Sequence, residues 1–267
     1  MAHIRLKPTR EIKIDFHPSE LDNSIIPEES KKKAKEYLNS KKLSENDIMI
    51  MLEKKVIFGY DYVYQNKKLI LPEVNPITVF YSNAVMSYGM IEEYKKILLS
   101  ESSEAGKVGR IVNLNHSGSF FHLAINCIIN LQASLESFAN RIIPDNYLFI
   151  DKTGNTIYPT VSYKLYNTIP KIKSIDFRLG KHKKYNKCID SLIKLRNDIV
   201  HLKPVEETNT AYKEVYRDLL NFEFKKTILS VKMFINFYEP NLIEECACGQ
   251  DFYFDAVLSN DSSESDA

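Results

Sequence analysis

The chain is expected to be mainly helical, and three observations say so. Its longest segments repeat apolar residues at helical spacing, and 8 Gly and 10 Pro in 267 residues, with no Trp, leave little of the turn punctuation that a many-stranded sandwich or barrel needs. Only two short stretches carry strand-like residues around turn signals. The fold class is therefore mainly α, a helical bundle with one or two small β-hairpins.

Taken in order, Pro27 opens a Lys-rich helix from Glu28 to about Ser40, and Ser44 with Asp47 three residues on reads as the cap of a second helix, Ile48 to Lys55. From Val56 to Leu71 the β-branched and aromatic run around Gln65-Asn66-Lys67-Lys68 is a hairpin signal. Asn75-Pro76 starts a helix to about Leu99, and Ser100 to Gly118, rich in Ser, Gly and Glu, reads as a linker. The helix Ser119 to Ile143 carries Phe121, Ala124, Ile125, Ile128, Leu135 and Phe138 on one face. Leu123, Cys127 and Ile129 widen that stripe until most of the helix looks buried. Tyr147 to Pro159 reads as a hairpin turning at Thr153-Gly154-Asn155, followed by helices Ser162 to Lys173, Lys181 to Leu202 and Thr210 to Tyr238. Three regions follow: a mixed accessory region 1–105, a helical bundle 106–240, and an acidic tail 241–267, partly disordered, since Glu239 onward holds eight carboxylates and no Lys or Arg.

With 44% hydrophobic and 27% charged residues the chain can bury a core, and a net charge of +1 excludes a polycation-binding role argued from bulk charge. No apolar run approaches the ~18 residues of a membrane span and the N-terminus lacks a signal core, so a cytoplasmic, membrane-free location is expected. Four cysteines are too few for a disulfide scaffold. Cys246-Ala-Cys248 lacks the second pair a tetrahedral zinc site needs, so neither metal nor cofactor is expected. His122, on an apolar helix, reads as a core histidine.

The helix ending near Leu202 carries the signal. Ile189, Leu192, Ile193, Ile199 and Val200 fall on one stripe at about 100° per residue, and Arg196 lies near its centre. An unpaired guanidinium there is costly, so Arg196 must meet a carboxylate, a phosphate or another chain. Glu136 on the apolar helix is the candidate for a buried ion pair. Pro204 disfavours helix at Lys203 and puts His201 in the last turn, where free carbonyls and the dipole favour an imidazolium suited to general-acid work. A His that merely caps the helix has the same geometry.

These residues, Arg196-Asn197-Asp198-Ile199-Val200-His201, resemble the signature of the HEPN superfamily, in which Arg is followed by Asn, Asp or His, then three variable residues and His. The resemblance covers about Ser119 to Tyr238. It implies a HEPN-like helical bundle, commonly homodimeric, that acts as a metal-independent endoribonuclease in phage defence or beside an antitoxin. The other known outcome in the superfamily is an inactive module binding RNA, nucleotide or a partner protein. Two other Arg-to-His spacings, Arg10 to His17 and Arg110 to His116, lack both the following Asn and the helix end.

Metal-free RNA cleavage uses the neighbouring 2′-hydroxyl as nucleophile, so protein groups must move protons and stabilise charge on phosphorus oxygens. His201 suits the proton, Arg196 the charge, and Asn197 the orientation of either, while Asp198 reads as solvated. On one ideal helix Arg196 and His201 stand about 140° and about 7.5 Å apart, so a site shared across a two-fold axis is expected. Residues 171–203 hold ten basic and three acidic side chains. Lys181, Lys183, Lys184, Lys187, Lys194 and Lys203 are therefore the candidate phosphate track, with RNA the expected partner.

Overall fold

The computed structural model describes residues 3–16, 26–52, 54–101, 111–151, 153–202 and 212–247. It is mainly helical with one small antiparallel sheet, as the sequence predicts, and its chain forms two compact units. Residues 6–79 make one; residues 1–5 and 80–267 make the other. The division falls near residue 80, inside a helix, rather than in the Ser-rich stretch near 105.

In the first unit, β3 (Lys55–Tyr64) is the central strand. One of its edges carries β2 (Ile48–Leu52), and the other carries β1 (Glu11–Lys13) followed by β4 (Lys67–Pro72), all antiparallel. The β3–β4 hairpin turns through Gln65 and Asn66 alone, both at positive φ (47° and 64°), the geometry that matches the strands' twist. The helix expected over Ile48 to Lys55 is instead strand β2. Alternating Ile48 and Ile50 pair with Gly59 and Ile57, and Ser44 closes a local turn onto the N–H of Asn46 (3.1 Å) rather than capping a helix. Tertiary pairing overrides the cap signal. Gly59 sits where a Cβ would lie 2.4 Å from the Leu71 carbonyl oxygen. Helix α1 (Glu28–Asn39) has no buried residue and reaches the sheet through Tyr37, whose hydroxyl donates to Asp61.

Helix α2 (Pro76–Glu101) leads into the bundle. Helix α3 (Leu114–Ile142) begins five residues earlier than predicted because the Asn113 side chain accepts from Asn115 N–H (2.8 Å). Glu101 ties the two helices by accepting from Asn113 N–H (3.1 Å) and pairing with His116; these bonds hold its carboxyl below the usual range. Buried Phe120, Cys127, Ile128, Leu131, Leu135 and Phe138 form the α3 core stripe, whereas Ile129 is exposed, so α3 is amphipathic rather than buried all round. The stripe packs on α6 (Lys183–Val200) and α8 (Phe224–Tyr238).

Between them lie α4 (Val161–Tyr163), a π turn (Lys164–Thr168) and α5 (Ile169–Lys173). Pro170 explains the wide turn: it has no N–H for the i−4 carbonyl and its ring would collide with it. The hairpin expected at Tyr147 to Pro159 is a loop with a single bridge, Ile150 to Thr156, closed because Asp151 accepts from Thr153 and Asn155. The single helix expected over Thr210 to Tyr238 is two, α7 (Lys213–Asn221) and α8, broken by extended Phe222. After α8, Leu242 and Ile243 are buried and Glu244 to Cys246 pair with His3 to Arg5, so residues 241–247 belong to the bundle rather than to an acidic tail. The rest of that tail, with Cys248, lies outside the described residues.

Candidate nucleic-acid interface on helix α6

An aromatic cluster fixes the start of α6. Phe177 stacks on His182 (centroids 5.1 Å) and meets Phe234 and Phe237 edge-on, while its N–H donates to the Tyr238 hydroxyl (3.2 Å). Burial first, then the charges of Lys181 and Lys184, push the His182 imidazole below its ordinary range, and burial pushes the Tyr238 hydroxyl up.

At the other end the motif emerges from the core. The buried residues of α6, Cys188, Ile189, Leu192, Ile193, Leu195 and Ile199, centre about 40° away from Arg196 on a helical wheel. Arg196 is accordingly half-buried, and its guanidinium donates to the Asn197 side-chain oxygen (3.3 Å). The ion pair expected with Glu136 does not form: Glu136 is half-buried on α3, and Arg196 makes no ion pair among the described residues. Packing of the Cys188–Leu195 flank rotates the stripe, which lets the guanidinium reach the surface and removes the need for a buried carboxylate. Val200 and Leu202 are each 47% exposed beside it.

His201 is the C-cap of α6 (φ −108°, ψ 48°), exposed, with its N–H donating to the Asn197 carbonyl (2.9 Å). Asn197 is exposed as well. No hydrogen bond joins Arg196 to His201 within the chain.

The lysines divide. Lys184, Lys187 and Lys194 line a cleft of about 360 Å³ between α6, α7 and the start of α8, on the side of α6 turned away from Arg196. Lys226 joins them from α8. Asp198, Asp218 and Glu223 also line it, with Cys188, Leu195 and Phe222 as apolar floor, and Glu223 pairs with Lys226 (2.9 Å). Sequence reasoning missed Lys226, Asp218 and Phe222 because the break at Phe222, which makes the cleft wall, carries no Pro or Gly to announce it. Lys181, in a short turn (Gly180–His182), and Lys183 are exposed outside the cleft. Lys203 lies outside the described residues.

His122, expected in the core, is exposed and lines an open groove with Met90, Tyr94 and Leu123. Among the described residues no three His, Cys, Asp or Glu side chains come together as a metal-ligand set, and no helix is long and apolar enough to cross a membrane. The fold and the site define a helical bundle with a basic cleft and an exposed Arg-Asn-x3-His helix end, joined to a small sheet unit. Compared with protein-family models, curated proteins and solved structures, the chain matches none.

Proposed function

We propose that the chain is a HEPN-type, metal-independent endoribonuclease, acting as a homodimer in the cytoplasm in phage defence or beside an antitoxin. One observation carries this reading: Arg196, Asn197 and His201 stand together at an exposed helix end, and the Arg196 guanidinium has no carboxylate partner among the described residues. Its charge reaches solvent at the helix end, where a phosphate or a second chain can meet it. In the proposed mechanism His201 transfers a proton, Arg196 stabilises charge on the phosphorus oxygens, and Asn197 holds the guanidinium in place. The two-fold dimer supplies Arg196 of one chain to His201 of the other.

The test is incubation of purified protein with mixed RNA in EDTA, comparing wild type with His201→Ala. Cleavage that persists under chelation, leaves a 2′,3′-cyclic phosphate and is lost in the variant is the expected result. Cleavage that needs an added divalent metal overturns the mechanism.

A second reading has its own observation. The lysine cleft opens on the opposite side of α6 from Arg196, which suits a binding module whose RNA or nucleotide site is separate from the motif. Tight RNA binding without any cleavage would select it.

A further inference from the structure

Along β3, Tyr60, Tyr62 and Tyr64 sit at alternate positions and therefore share one face of the sheet. They are 52%, 50% and 56% exposed, while Ile57, Gly59 and Asp61 between and before them are buried on the other face. Register places Leu71, Leu69 and Lys67 of β4 directly opposite the three rings, so an aliphatic row ending in a cation runs beside the aromatic row. The Tyr62 and Tyr64 rings are nearly parallel, 18° apart in plane with centroids at 6.5 Å. That is about the ~6.6 Å advance of two residues in a strand, so the rings repeat in step with the backbone.

The charge along the strands of this face is one-sided, and at its Phe58 end the N–H of the exposed Glu73 donates to the Phe58 carbonyl (2.9 Å). Among the strand residues that point to it the only charged side chain is Lys67; the carboxylates of Glu11 and Asp61 point the opposite way. Near the far end of the row the Arg10 guanidinium lies 5.2 Å from the Phe58 ring centroid, and Phe58 belongs to the same face as the tyrosines. Flat aromatic faces in a regular row, with Lys67 at one end and Arg10 toward the other, complement a polyanion that carries planar bases.

We infer that this sheet face is a stacking platform for single-stranded nucleic acid, taking two or three consecutive bases on Tyr60, Tyr62 and Tyr64 with the flanking phosphates toward Arg10 and Lys67. Such stacking tolerates any base, because every base offers a π face, and a duplex, whose bases are already stacked, gains nothing from it. The inference rests on the nuclease reading only for the choice of RNA as probe.

The test uses the full chain with His201→Ala, so that no strand is cut, and a labelled single-stranded RNA 12-mer read by fluorescence polarisation. Replacing Tyr60, Tyr62 and Tyr64 together by Ser is expected to weaken single-strand binding about tenfold per ring and to leave duplex binding unchanged, whereas the triple Phe variant keeps affinity. Photo-crosslinking of 5-bromouridine RNA to the chain with His201→Ala alone, which keeps all three tyrosines, is expected to label the peptide 55–64. Equal single-strand affinity in the Ser variant, or crosslinks only elsewhere, overturns the platform. So does a Ser variant that loses self-association while binding RNA as before, since the face would then be a protein interface. Tyrosine-dependent binding without cleavage by the wild type removes the nuclease and keeps the platform; cleavage with Tyr-independent binding does the reverse.

Discussion

Asp61 and Lys68 meet diagonally across β3 and β4, Oδ2 to Nζ 3.3 Å, with side chains 3% and 2% exposed. Tyr37 covers the pair: its hydroxyl donates to Asp61 and its ring centroid lies 3.6 Å from the Lys68 ammonium. The Tyr37 hydrogen bond, with smaller contributions from Ser44 and Lys68, holds the Asp61 carboxyl below its ordinary value of 3.8. A depressed carboxyl stabilises the fold above the unfolded value and loses that contribution as pH falls through the lower folded one. Urea titrations between pH 5 and 2 are therefore expected to show an acid-dependent loss of sheet-unit stability that Asp61→Asn flattens. At pH 7 Lys68→Met is expected to be less stable than the double variant Lys68→Met/Asp61→Leu, because an abandoned buried charge costs more than a removed pair. The reverse order would show that the pair is solvated.

The His182 imidazole is depressed, so both folded and unfolded chains hold it neutral at pH 8 and it has no effect there. As pH falls below its ordinary value of 6.5 the unfolded chain takes the proton more readily, and the bundle loses stability until the folded group also titrates. Thermal melts from pH 8 to 5 are expected to fall along this course, and His182→Phe to fall less. Parallel curves for the two proteins would refute the assignment.

Gly59→Ala places a methyl against the Leu71 carbonyl at 2.4 Å and the Ile50 side chain at 2.7 Å. A cost of about 1–3 kcal/mol is expected, the range for overpacking, read as a shift of the urea midpoint without a change in slope. An unshifted midpoint would mean that β4 moves freely.

In the dimer proposed above, with melting unchanged, His201→Ala is expected to slow cleavage by roughly 100- to 10,000-fold, the usual scale for losing a general acid or base, and Arg196→Ala by roughly 100- to 1,000-fold, the scale for losing one donor that stabilises transition-state charge. A mixed dimer of one chain of each kind then has one doubly damaged and one intact cleft, and recovers about half the wild-type rate. No recovery, from verified heterodimers, places both groups of each site on one chain.

The α6–α8 cleft predicts a salt signature. Lys187→Glu and Lys194→Glu are each expected to weaken RNA binding uniformly across sequences and to reduce the salt slope by about 0.7, the single-strand value for each phosphate that is no longer neutralised. Unchanged slopes would leave the cleft to the carboxylates Asp198, Asp218 and Glu223 that share it.

The helices are legible where one face repeats cleanly, as in α3 and α6, or where a proline marks the start, as Pro27 does for α1 and Pro76 for α2. β2 is not, because Ser44 and Asp47 imitate a capping pattern and only pairing with β3, an interaction remote in sequence, decides the matter. β1 failed for the same reason: three residues, Glu11 to Lys13, carry no period of their own. The motif's position at a helix end followed from Pro204, but the degree of burial of Arg196 did not. A stripe computed from α6 alone cannot register the rotation that α3 and α8 impose on it. The cleft was invisible for a related reason, since it exists only because α7 and α8 diverge at Phe222.

The pairing of His3 to Arg5 with Glu244 to Cys246 makes the sheet unit an insertion in the bundle: residues 3–5 belong to the bundle, residues 6–79 leave it, and the chain then returns. On the ribosome, where chains fold from their N-terminal side, the sheet is complete long before the partner of His3 to Arg5 has been made. Translation thus sets the order of maturation, with the bundle closing last and the Arg196–His201 helix end becoming part of a finished surface only when synthesis has passed Cys246.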